Sequence, residues 1–143
     1  MRFPAALAAL FVTAVAAPAQ DLTGIDWQLL ALDGVPLAAD VSATLRIDAD
    51  GSIQGQAPCN SYGTTNTATL PDFRPGPIRA TKMACDKLAE EVDFFIALSA
   101  MELATPEGET TLILTGADGR SMEFVKDRTA PATQCITCAA DQN

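Results

Sequence analysis

Apolar and polar residues alternate along most of the chain, and one stretch breaks to a helical period. In residues 43–48, Ala43, Leu45 and Ile47 alternate with Thr44, Arg46 and Asp48; Asp50-Gly51 then offers a turn, and Ser52-Ile53-Gln54-Gly55 alternates again. That pattern predicts an antiparallel hairpin. Gly55 sits where the second strand would bend or bulge and curl the sheet. Upstream, residues 27–32 carry Trp27, Leu29 and Leu30 before an Asp33-Gly34 turn, with residues 35–37 as a short return or edge beside Pro36. Downstream, residues 103–105 predict a short strand before Pro106-Glu107-Gly108. Residues 110–115 and 122–125 predict a second hairpin across Ala117-Asp118-Gly119.

The middle of the chain is less regular. Residues 61–70 are rich in Thr and Asn with one Tyr, which predicts an exposed or edge strand. Pro71, Pro75, Gly76 and Pro77 predict a surface loop, and residues 78–83 resume as a strand. The period then lengthens. In residues 87–101, Leu88, Val92, Phe95 and Ser99 trace one row of a helix and Glu91, Phe94, Leu98 and Met101 the row beside it. Asp86 is the expected N-cap. Phe94 and Phe95 broaden the apolar stripe that packs on the sheet, and Glu91 reads as a solvated carboxylate at its boundary. Strands, one helix and further strands, without strand-helix alternation, predict an α+β fold: a small antiparallel β-barrel or roll with one packed α-helix.

Length and composition place this pattern in one domain of a 143-residue chain. Arg2, the apolar run over residues 5–17 and Ala17-Pro18-Ala19 have the form of a signal peptide over residues 1–19, with cleavage expected after Ala19. No lipobox cysteine stands there. Residues 22–126 are the expected domain, and residues 127–143 an unstructured tail containing Cys135-Ile136-Thr137-Cys138. The expected location is periplasmic or secreted, with no membrane span after cleavage.

Charge and residue types narrow the chemistry. A net charge of −9 repels nucleic acid and anionic lipid. With no histidine in the chain, the usual neutral-pH base, Ser-His and Cys-His pairs and His-bearing zinc sites are absent. Asp48-Ala49-Asp50-Gly51 lacks the rest of a calcium loop, and neither Asp48 with Asp50 nor Glu90 with Glu91 is placed to converge as a glycosidase pair. No catalytic residue, metal site or cofactor is expected. Trp27, the single tryptophan, reads as a core anchor. Four cysteines allow three pairings, all oxidised in an exported protein. Cys59–Cys85 within the domain and Cys135–Cys138 in the tail is the preferred arrangement. The tail pair is also open to redox catalysis or metal clasping, since its spacing is that of dithiol oxidoreductases.

Several of these residues recur in one order. Trp27, Cys59-Asn60-Ser61-Tyr62, Thr81-Lys82-Met83-Ala84-Cys85, the Glu91, Phe94, Leu98 spacing and the closing Leu112, Leu114 and Phe124 together resemble the META domain family of HslJ-like proteins, over about residues 22–125. Pro58 departs from the glycine usual in the family before Cys-Asn, and the lipoprotein cysteine of HslJ-type members is missing. The resemblance implies a small antiparallel barrel or roll with one helix, exported by bacteria and linked to stress and antibiotic tolerance. It supplies no catalytic residue. It marks Trp27, Asn60, Tyr62, Thr81, Met83, Glu91, Phe94 and Leu98 as family positions, of which Asn60 and Tyr62 are candidates for binding. The function expected is non-enzymatic, binding or stabilising an unidentified envelope protein or small ligand. The alternatives are a periplasmic thiol-disulfide oxidoreductase using Cys135 and Cys138, and a small-ligand binder using the barrel interior.

Overall fold

The structure is a computed structural model and describes residues 20–129. The expected signal peptide, the tail beyond Thr129, and with it Cys135 and Cys138, lie outside the described residues. The elements are β1 (Asp26–Leu32), β2 (Val35–Pro36), β3 (Thr44–Ile47), β4 (Ser52–Gln56), β5 (Ser61–Thr65), β6 (Arg79–Ala80), α1 (Leu88–Ser99), β7 (Met101–Glu107), β8 (Thr111–Gly116) and β9 (Ser121–Val125). All pairings are antiparallel, and the strands form one sheet in the order β6-β5-β4-β3-β1-β9-β8-β7, with β2 paired to β1.

Strand alternation puts Trp27, Leu29, Leu45, Ile47, Ile53, Leu112, Leu114, Met122 and Phe124 into a single core. Trp27 is the anchor expected of it, buried, with its indole N–H on the Leu22 carbonyl at 3.3 Å. Both predicted hairpins form, β3–β4 and β8–β9. At Gly55 a Cβ would collide with the Thr44 carbonyl, so glycine there lets β4 and β3 come together.

The sheet is not closed, so the structure is an open antiparallel sheet with one helix rather than a confirmed barrel. β6 and β7 end the strand order without pairing to each other. A short bridge reaches β7 instead from the Pro- and Gly-rich stretch predicted as a surface loop. The Phe73 amide donates to the Glu102 carbonyl and the Ala104 amide to the Pro71 carbonyl, each at 2.8 Å, and Phe73 is fully buried. Prolines remove the amides a longer ladder would need. The predicted strands over 61–70 and 78–83 shrink to β5 and β6, because the Asn66 and Asn60 side chains take up the Ala68 and Met83 amides in place of a strand partner, and β5 is covered by β6 instead of lying at the edge.

The helix starts later than predicted. Lys87, not Asp86, occupies the N-cap position, without a side-chain cap bond, and its ammonium pairs with Asp40. Met101 belongs to β7. Of the two predicted rows, Glu91, Phe94 and Leu98 face the core, joined by Ala97, while Leu88 and Val92 face outward together with Ile96, which belongs to neither row. Phe95 lies between, partly buried against the core.

Candidate functional site

Residues 58–60 turn the chain from β4 into β5, and residues 81–85 lead from β6 to α1. The Cys59–Cys85 disulfide ties these two connections, with 5.9 Å between the Cα atoms of residues 26 positions apart in the sequence. Beside it lies Asn60, 3% exposed. Its side-chain amide donates to Glu91 Oε1 at 2.7 Å, and its Oδ1 accepts from the Met83 amide at 2.7 Å and the Thr81 hydroxyl at 2.8 Å. Glu91 Oε2 accepts the backbone amides of Cys59 and Asn60 at 2.9 and 2.7 Å. Asn60 thus joins three segments that the sequence keeps apart. Aspartate could not replace it, because the site needs a donor toward Glu91 and an acceptor toward Met83.

Glu91 is therefore no solvated boundary carboxylate. It is 6% exposed, and both oxygens accept charge-assisted hydrogen bonds that take the place of water. Tyr62 is buried too. Its hydroxyl donates to the Thr44 carbonyl at 2.8 Å, and its ring meets Phe94 and Phe95 edge-on at 5.4 and 5.6 Å. Burial pushes the Tyr62 hydroxyl pKa well above the ordinary tyrosine value. Asn60 and Tyr62, the two binding candidates, are thus held inside by their own partners. Phe94, Leu98 and Trp27 are core side chains, whereas Met83 is 63% exposed and Thr81 contributes its hydroxyl from an exposed position.

These positions, brought together in space, can be set beside known families. The META domain model matches residues 20–129. The chain belongs to the META domain family. The META fold recurs in a solved protein from Burkholderia xenovorans, 20% identical, with a TM-score of 0.59 over 82% of this chain and 95% of the other. A DUF4847 family protein from Bacteroides vulgatus is similar at 14% identity and a TM-score of 0.57, over 76% of this chain and 96% of the other. At these identities the likeness is one of fold. No curated protein matches the chain.

The interior of this META domain is filled by side chains, among them Trp27, Phe73, Phe94 and Phe124, so space for a ligand lies on the surface. Two grooves of about 640 and 630 Å³, the first of mixed character and the second polar, run along β3, β4 and β5, where Asp48, Gln54 and Arg79 are among the lining residues. A third, of about 420 Å³, is apolar and lies between the β1–β2 hairpin and α1, walled by Leu32, Val35, Leu37, Val41, Pro58 and Phe94. Charges border it. Arg120 pairs with Asp33 at 2.8 Å and holds that carboxyl below its usual range; outside the lining, Lys87 pairs with Asp40 and lowers that carboxyl in the same way. Glu90 and Asp93 line the groove from α1.

The sequence reading missed this groove. Residues 35–37 were legible only as a short edge, and Val41 lies in a segment without period two. The available signal was a run of apolar residues, Val35, Leu37 and Val41, that neither predicted hairpin accounted for. Among the described residues, no helix is long and apolar enough to cross a membrane.

Proposed function

We propose that the chain is an exported, non-enzymatic META-domain protein that binds or stabilises a component of the bacterial envelope, with the apolar groove between β2 and α1 as its binding face. The observation that carries this reading is the Cys59–Cys85 disulfide set against the buried Asn60–Glu91 pair. A disulfide within the domain suits an oxidising compartment. A polar cluster whose buried groups are all partnered suits a scaffold rather than a reacting centre. The filled interior moves the small-ligand reading from a barrel lumen to the surface groove.

Expression of the full chain in a bacterial host, followed by fractionation, N-terminal sequencing and thiol labelling without reductant, tests the location. The expected product starts at Gln20, is found outside the cytosol and leaves Cys59 unlabelled. A cytosolic product with labelled Cys59 overturns the export reading. The thiol-disulfide alternative rests on the spacing of Cys135 and Cys138. Insulin reduction by the full chain, abolished by Cys138→Ser, would select that activity over the binding role.

A further inference from the structure

The apolar groove has an asymmetric border. Three acids and one base line it, Asp33, Glu90, Asp93 and Arg120. Arg120 is engaged by Asp33, through both its Nε at 3.1 Å and its Nη2 at 2.8 Å. Glu90 and Asp93 form no ion pair or side-chain hydrogen bond among the described residues; Lys87 and Arg120 act on them only through space, each being held directly by another acid, Lys87 by Asp40 and Arg120 by Asp33. Glu90 and Asp93 stand one turn apart on α1, above an apolar floor that includes Leu32 and Leu37. On the opposite wall Val35 is 66% exposed, a β-branched side chain held out to solvent next to Pro36. Pro36 has no amide to offer, so an occupant of this groove is held by side chains and not by extending β2 as a strand.

The geometry points to a docking surface for a protein segment that carries apolar side chains beside lysine or arginine, the apolar groups filling the groove and the cations meeting Glu90 and Asp93. This inference rests on the groove being the binding face. Charge selects the occupant. A second copy of the chain would bring its own net charge of −9, and an anionic lipid would meet the same repulsion. An uncharged apolar ligand would leave the two carboxylates unused. A basic amphipathic segment is complementary to both features at once, and the net acidity of the chain would speed its approach.

The test uses the full, oxidised chain and synthetic peptides, with binding read by calorimetry. The probe is a leucine-lysine peptide patterned as an amphipathic helix; one counterpart has glutamate for every lysine and another serine for every leucine. The leucine-lysine peptide is expected to bind saturably, more weakly as salt rises, and both counterparts to fail. Val35→Asp and the double change Glu90→Lys with Asp93→Lys each lie at the groove and are expected to weaken binding about tenfold or more. Thr65→Asp, at an exposed position on β5 that does not line the groove, is expected to leave binding unchanged. Thermal melts confirm that each variant is folded.

Equal binding of the glutamate peptide, or insensitivity to the Glu90 and Asp93 changes, overturns the inference. N-phenylnaphthylamine, an uncharged apolar probe, separates the two levels of the argument. If it binds in a Val35-dependent way while the leucine-lysine peptide does not, the groove stands and the basic partner falls. If neither binds in a Val35-dependent way, the groove reading falls as well.

Discussion

Three hydrogen bonds converge on the Glu91 carboxylate, from the amides of Cys59 and Asn60 and from the Asn60 side chain, whose other bond, to the Met83 carbonyl at 3.4 Å, is longer. Glutamine cannot substitute, because its amide nitrogen would face a donor. Glu91→Gln is therefore expected to destabilise the domain by about 2–4 kcal/mol, close to the cost of Glu91→Ala, measured by urea unfolding. A much milder glutamine variant would mean that these bonds contribute little. Tyr62 gives a second check at this scale, since it is the only tyrosine. With its folded pKa raised, the folded state holds the neutral phenol while the unfolded state ionises above about pH 10. Its contribution is full below that pH and declines above it. Tyrosinate absorbance should therefore stay flat through pH 10 and rise in one step with loss of tertiary circular dichroism. A smooth titration at the ordinary pKa in the folded protein would show that the ring is accessible.

Among the elements, the connections matter as much as the strands. Closing the 26-residue span between Cys59 and Cys85 removes denatured-state freedom worth about 3–4 kcal/mol. Cys59→Ser is expected to lower Tm by more than about 10 °C, read by differential scanning calorimetry. Gly55→Ala should also be costly, by about 2 kcal/mol or more, because its Cβ meets backbone rather than a movable side chain. The strands and helix were legible because Leu45, Ile47, Phe94 and Leu98 repeat at periods set by local geometry. The burial of Glu91 was not, because a carboxylate on an apolar stripe looks the same in sequence whether its partners are water or the amides of Cys59 and Asn60 more than thirty residues earlier. Likewise the composition of residues 71–77 signalled a break in the ladder correctly, yet could not indicate that Phe73 enters the core. Motif positions Asn60, Thr81, Met83 and Glu91 were each visible as letters; only folding brings them into one hydrogen-bonded cluster. The groove followed neither period nor motif, since its walls come from β2, the segment that follows it, and α1.

For the whole molecule, charge is the long-range feature. Four ion pairs link described residues in a chain with 18 acidic and 9 basic side chains. Screening should weaken acid-acid repulsion more than it weakens these exposed pairs, so Tm at neutral pH is expected to rise by a few degrees from low salt to about 0.15 M. A falling Tm would mean that the pairs at Asp33 and Asp40 outweigh the repulsion. Acid acts through those same residues. Their folded pKa values are depressed, so the stability they contribute is present above the ordinary aspartate pKa of about 4 and is lost as pH falls through the lower folded values.

The order of strands also sets a schedule. β9, among the last described residues to be synthesised, lies between β1 and β8, with Gln28 opposite Val125 and Leu112 opposite Phe124. Until it arrives, β1 lacks one neighbour and the two halves of the sheet are not joined through the backbone ladder. A chain still emerging from a ribosome, or still threading through a narrow channel, would hold an unfinished fold until residues 121–125 were free. The topology therefore makes the joining of the two halves of the sheet wait for residues 121–125, a long-range pairing that comes late in any N-to-C order of folding.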